Sequence, residues 1–301
     1  MTTKFEDIVN VPSIGKVENP INMNNLLKMA GEEKIKPANQ DAENVLLLGI
    51  DFQKDFLEGG ALGVSGANGD VERVTRWIYS NMKKITEIAV SIDTHIPQQI
   101  FHPCWWIDSN GNHPDPFTAI TLADLDAGKW NVCIAPIESR EYVMNLEKNA
   151  QLVLVIWPYH CLKGTVGAAL DSQFANMVLF HSVARMSIGT KLVKGENPYS
   201  EMYGIIKPEY DKKNYINLAF LNKIEQYSKV VIAGEAASHC VLRSIQQILE
   251  HFANKPEVTK NIYILEDCMS FIPGFENTKQ TYVDLQKKYG INLVNSTNFN
   301  L

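Results

Sequence analysis

Seven short apolar runs punctuate the chain beyond residue 43, at 45–50, 88–92, 152–156, 178–183, 230–233, 262–265 and 291–294. They are rich in Val, Ile and Leu and mostly continuous rather than alternating, the pattern of strands covered on both faces. Stretches with helical spacing lie near them, at 71–84, 138–148, 167–176, 216–227, 239–253 and 277–288. The resulting β, α, β rhythm predicts a three-layer α/β/α fold on a mostly parallel sheet. Two segments break it. Residues 1–43 are rich in Lys, Asn, Glu and Pro, with a short helical pattern at 20–29, and are expected to form an N-terminal arm or cover ahead of a domain at 44–301. Residues 103–135 carry three Trp and a Gly-Asn-His-Pro-Asp-Pro run, and are expected to form an insertion or lid in which Trp105, Trp106 and Phe117 close over a site.

Composition narrows the class of function. A formal net charge of -6, spread without a long run of either sign, argues against nucleic acid and anionic membranes as partners. The first residues lack the apolar core of a signal peptide, and no segment approaches the roughly 18 apolar residues that span a bilayer, so a cytoplasmic location is expected. Five widely spaced cysteines without a CxxC pair (Cys104, Cys133, Cys161, Cys240 and Cys268) fit reduced thiols better than a disulfide framework or a four-thiolate zinc site.

In a parallel α/β sheet, ligands gather beyond the carboxyl ends of the strands, which makes the polar residues after each run the candidates. The first run ends in Asp51, the second in Asp93-Thr94-His95 and the third in Trp157-Pro158-Tyr159-His160-Cys161; Lys194-Gly195 follows the fourth, and the fifth feeds Cys240 at the start of an amphipathic helix. A thiol on the first turn of a helix faces unpaired N–H groups and the positive end of the dipole, which lower its pKa. An acid, an amine and a thiol at one edge suggest an activated nucleophile, with Asp51 relaying protons and Lys194 steadying charge. Singly, each has an ordinary structural role: Cys240 as a core residue, Asp51 as a cap or ion-pair partner, Lys194 as a solvated side chain, His160 as a bonded loop histidine. Asp93, His95 and His160 together suit a divalent Zn, Fe or Mn ion with positions left open, and His102 could complete the shell, with His113 as its substitute.

The ordered set Asp51-Phe52-Gln53-Lys54-Asp55-Phe56, Asp93-x-His95, Trp157-Pro158-x-His160-Cys161, Lys194-Gly195 and Gly234-x-Ala236-x-x-x-Cys240-Val241 resembles the nicotinamidase branch of the isochorismatase-like cysteine hydrolases, over about residues 44–294. The resemblance implies a six-stranded parallel sheet of order 3-2-1-4-5-6 and a triad of Asp51, Lys194 and Cys240, with Lys191 in reserve. It implies one divalent metal ion, zinc first and iron or manganese as alternatives, on Asp93, His95 and His160 with His102 as fourth ligand. A cis peptide at Glu235–Ala236, an oxyanion site made by the N–H groups of Ala236 and Cys240, and aromatic walls at Phe56 and Trp157 also follow from it. The implied chemistry is amide hydrolysis through a thioester, with nicotinamide as the first substrate and another amide or ureido compound as the alternative. A non-catalytic metal- or ligand-binding protein is the reading from another class. Departures in the 102–160 segment and at Glu235–His239 bear on the substrate more than on the reaction. A homo-oligomer is expected from the same resemblance.

Overall fold

The structure, a computed structural model, describes residues 1–150 and 152–301. Its central sheet consists of β1 (Val45–Ile50), β2 (Glu87–Asp93), β3 (Thr190–Lys194), β4 (Lys229–Gly234), β5 (Ile262–Leu265) and β6 (Asn292–Val294). All pairings are parallel and the spatial order is 3-2-1-4-5-6. β1 is central and buried at every position, as a strand covered on both faces must be. Its register sets Ile50 opposite Gly234, and a Cβ on Gly234 would lie 2.2 Å from the Ile50 carbonyl oxygen. Only glycine lets the two strand ends approach so closely.

Successive side chains of β1 point to opposite faces, and each face has its own core. Val45 and Leu47 pack with α1 (Ala67–Ser80) and α2 (Ser172–Ala184) through Val71, Val74, Phe174 and Phe180. Leu46, Leu48 and Ile50 pack with α3 (Leu218–Ile224), α4 (Leu242–His251) and α5 (Lys279–Tyr289) through Leu221, Ile245, Ile248 and Tyr282. Residues 1–43 lie over the first face, with Phe5, Ile8, Leu26 and Ala30 buried in the same cluster as α2. Among the described residues, no helix is long and apolar enough to cross a membrane.

Two expected strands are corrected. The run 178–183 lies inside α2, whose N-terminus is capped by Asp171 through Gln173 N and Phe174 N at 3.0 and 3.2 Å. α2 has apolar residues nearly all round because the sheet lies on one side and the N-terminal residues on another, so its periodicity is lost. The strand that fills this place in the sheet is β3, which alternates exposed and buried positions and carries two lysines, as an edge strand can. The run 152–156 contributes only Leu154–Val155, in a two-stranded antiparallel ribbon with Ala119–Ile120 outside the central sheet.

The excursion between β2 and β3 has a small core of its own, with Ile100, Phe101, Trp105, Trp106, Tyr142 and Leu154 among its members. Trp105 and Trp106 do not close over a site as expected. They are buried, with their indole N–H groups donated to Ser139 Oγ at 2.9 Å and the Ile100 carbonyl at 2.6 Å. Two adjacent indoles that each find a buried acceptor are core residues. Phe117 is exposed and meets Trp157 edge-on at 6.0 Å.

Candidate active site and metal centre

β1, β2, β3 and β4 end at the same edge, and the residues just beyond them converge. Asp51 has φ 48°, a left-handed conformation that Asp tolerates, and it turns its carboxylate under the edge. Ser91 fixes it from both sides: Asp51 N donates to Ser91 Oγ at 3.0 Å, and that hydroxyl donates to Asp51 Oδ1 at 2.5 Å. Lys194, the last residue of β3, places Nζ 3.0 Å from Asp51 Oδ2, 3.1 Å from Asp93 Oδ1 and 3.7 Å from Cys240 Sγ. It also donates to the Met202 carbonyl at 3.3 Å. Gly195 follows with φ 80°; a Cβ there would lie 2.4 Å from Asp93 Oδ1 and 2.6 Å from His95 Cε1. Lys191 is exposed on β3 and lies outside this cluster.

These groups are buried together, so their charges are coupled. Burial would push the Lys194 ammonium down, yet Asp51 and Asp93 hold it well above the usual lysine range. Burial raises the Asp51 carboxyl against the pull of Lys194. Cys240 lies in a π-helical turn, Ala237–Val241, ahead of α4. The expected lowering of its pKa by a helix N-terminus is not what the site imposes. Burial pushes the thiol well above its ordinary value, Lys194 pulls it down, and Asp51 and Asp93 push it up.

Asp93, His95 and His160 offer ligand atoms that all lie within 4.8 Å of one another. His160 arrives not from a sheet strand but from a loop within the excursion, held when His95 N donates to the Cys161 carbonyl and Lys163 N to the His95 carbonyl. Each imidazole aims Nδ1 at a backbone carbonyl: His95 at Gly195 (3.2 Å), His102 at Pro97 (3.1 Å) and His160 at Pro158 (2.8 Å). A carbonyl only accepts, so Nδ1 carries a proton and Nε2 is the nitrogen left to meet a ligand. His95 Nε2 then faces Asp93 Oδ2 at 3.0 Å, an approach of two acceptors that calls for a proton or a cation between them. Among the described residues, buried His102 Nε2 has no hydrogen-bond partner. The His102 ring lies 6.0 and 6.1 Å from those of His95 and His160, one step outside the tight group. His113 is exposed, with Nδ1 on the Trp106 carbonyl. The donor set fits a borderline divalent ion.

A cleft of about 470 Å³ opens onto this cluster and includes Cys240, Ala236, Phe56 and Trp157 in its lining. The Glu235–Ala236 peptide is cis, at the position the resemblance implies. Several neighbours carry no signal that sequence reasoning used. Gln53 accepts from Asp93 N at 2.6 Å and donates to the Asp93 carbonyl at 2.7 Å, fixing the peptide of a candidate ligand. Gln99 donates to the Gly195 carbonyl at 2.6 Å. Glu201, Tyr203 and His239 also line the cleft. Gln53 lies inside a quoted motif, but its partner is backbone, which no spacing reveals.

No protein-family model matches the chain. No curated protein sequence matches it either. Solved structures do. A nicotinamidase/pyrazinamidase from Acinetobacter baumanii aligns over 86% of this chain and 98% of its own, at 18% identity and a TM-score of 0.57. The yeast nicotinamidase aligns over 83% and 99%, at 18% identity and a TM-score of 0.58. A protein from L. infantum, solved in complex with nicotinate, aligns over 88% and 97%, at 15% identity and a TM-score of 0.52. The chain has the isochorismatase-like hydrolase fold of these proteins.

Proposed function

We propose that this chain is a metal-containing cysteine amidohydrolase that hydrolyses nicotinamide or a related carboxamide through a thioester on Cys240. The observation that carries the proposal is the position of the buried Lys194 ammonium, in simultaneous contact with Asp51, Asp93 and the Cys240 thiol, the last two of which line the cleft. Residues 44–301 would form the hydrolase domain and residues 1–43 an arm.

Asp51 takes the thiol proton as Cys240 Sγ attacks the amide carbonyl, and Lys194 offsets the negative charge the step brings into a buried site. The N–H groups of Ala236 and Cys240 would stabilise the tetrahedral oxyanion; losing one such donor typically costs about 3 kcal/mol. Asp51 returns the proton to the departing nitrogen, the carbon–nitrogen bond breaks and ammonia leaves. Water, giving its proton to Asp51, then cleaves the thioester to release the acid. Asp93, His95 and His160, with His102 behind them, would hold a divalent ion. When bound, that ion supplies a Lewis acid that orients substrate or water. Phe56 and Trp157 would flank the substrate.

Ammonia release from nicotinamide, pyrazinamide and a set of ureido compounds, with and without chelator, tests this reading. Cys240→Ala is expected to abolish turnover while metal content and the melting curve stay intact. Turnover that survives the substitution overturns the thioester, activity indifferent to chelator removes the metal, and silence on every substrate favours a binding protein on the same fold.

A further inference from the structure

Glu201 is the carboxylate that the proposed reaction leaves unused. It lines the same cleft, is 2% exposed, and sits next to Met202, whose carbonyl accepts from Lys194. Its Oε1 accepts from Trp157 Nε1 at 3.2 Å and from the Tyr203 hydroxyl, and Oε2 accepts from the Tyr142 hydroxyl at 3.0 Å. The Tyr142 oxygen also accepts from Glu201 N at 3.0 Å. Three donors meet a group with about four acceptor positions. None of them is a cation: among the described residues Glu201 makes no ion pair, and the neighbouring charge that acts on it is Glu209, already paired with Arg243 at 2.8 Å.

Burial without a cation raises this carboxyl to about 7, and around it the cleft is aromatic. Trp157 stands nearly perpendicular to His239 at 5.5 Å and to Tyr203 at 6.3 Å, and Tyr203 and His239 meet at 5.8 Å and 60°. Burial holds His239 down to about 4, so its ring is neutral and adds no positive charge. Converging aromatic rings beside a buried carboxyl group without a cation of its own, which a cation would ionise, are the chemistry that captures positively charged nitrogen.

We infer that this end of the cleft binds a cationic nitrogen, an ammonium or quaternary ammonium group carried by the substrate, with Glu201 as its counter-ion and Trp157, Tyr203 and His239 as the aromatic faces. The inference rests on the amidohydrolase reading and narrows its substrate to a carboxamide with a positive charge remote from the scissile bond. Cys240, Asp93, His95 and His160 line the same cleft as Glu201, so one molecule can present its amide to the thiol and its charge to Glu201.

Two isosteric amides test it: trimethylammonioacetamide and tert-butylacetamide, which differ by nitrogen for carbon, together with homologues lengthened by successive methylenes. In the wild type, kcat/KM for the cationic member of at least one pair is expected to exceed that of its neutral partner by about tenfold or more. In Glu201→Gln, which keeps the side-chain volume, that ratio should fall towards one whatever happens to the absolute rates. Tyr203→Phe should lower it less, and thermal melts verify that both variants fold. Equal rates for both members at every length overturn the inference. So does a ratio untouched by Glu201→Gln, which would leave Glu201 as a support for Trp157. Should no amide be hydrolysed, the amidohydrolase reading fails separately. Calorimetric binding of the same pairs then decides: cation-selective binding lost in Glu201→Gln supports the site, and its absence overturns it.

Discussion

Gln53 illustrates how much of the site rests on groups that touch no substrate. Its amide closes a two-bond clamp on the peptide of Asp93 and donates also to the Ala168 carbonyl. Removing it leaves a buried N–H unpaired, which costs about 1–3 kcal/mol. It also frees the carboxylate that faces His95. Gln53→Ala is expected to weaken metal binding by about 10–100-fold, the usual effect of losing an orienting partner, as measured by chelator competition; unchanged affinity would show that Asp93 needs no clamp. Glu201 gives a pH signature of its own. Burial raises it from 4.5 to about 7, so the folded chain holds this proton more tightly than the unfolded one. The stability it contributes is full below 4.5 and is lost as pH rises through about 7. Glutamine has no such dependence, so the stability of Glu201→Gln relative to wild type should climb between about pH 5 and about pH 8, by up to about 3 kcal/mol. Denaturant titrations at several pH values would read this, and parallel curves would contradict it. The residues legible in sequence, Asp51, Asp93, His95, Lys194 and Cys240, stand at or just beyond ends of apolar or charged segments. Glu201 and Tyr203 sit in a loop without periodicity, and only the folded chain shows that they meet Trp157.

At the scale of elements, the pattern of apolar runs matches β1, β2, β4, β5 and β6 nearly to the residue because these runs are continuous, and all but the edge strand β6 are largely buried. It failed where burial and periodicity part company. α2 is apolar on the sheet side through Phe174, Met177 and Phe180, and on other sides because the N-terminal residues lie against it. β3, at the sheet edge, buries only Leu192 and Lys194 and so shows no apolar run. Lys194-Gly195 nonetheless stands in the sequence as part of the family resemblance, although the apolar run before it belongs to α2. Asp171 is the residue whose side chain marks α2 as a helix. One oxygen caps Gln173 N and Phe174 N, and the other accepts from Gly15 N at 2.8 Å. Asp171→Ala removes the cap and strands part-buried donors, a loss of about 2 kcal/mol. Urea unfolding should show a lower midpoint at unchanged slope; a shift under about 0.5 kcal/mol would mean that water replaces the carboxylate.

Across the whole molecule, the first 43 residues bind the site's supporting layer rather than the site. Leu26 and Ala30 of the helix Met23–Glu32 are buried in the cluster that contains Phe174, Met177 and Phe180. Glu33 accepts from Thr2 N and Thr3 N, and Asn10 N donates to Gln173 Oε1 at 2.8 Å. Lys54 Nζ donates to the Gly15 carbonyl, linking these residues to the segment that begins with Asp51 and Gln53. Their composition announced an arm, but its low periodicity hid how completely its few apolar residues are buried: Ile8, Leu26 and Ala30 have no exposed surface. A Leu-to-Ala change at such a position removes transfer free energy and leaves a cavity, together about 2–5 kcal/mol. Leu26→Ala is therefore expected to lower the melting temperature markedly, yet it lies against α2 and not against the cleft. If the arm acts only through packing, residual folded protein should keep wild-type KM and metal affinity while its stability falls. If the Lys54–Gly15 link transmits strain to Asp51 and Gln53, metal affinity should fall together with stability, and the Lys54→Met variant should reproduce that fall without the loss in melting temperature. Parallel melts and chelator titrations on the two variants separate these outcomes.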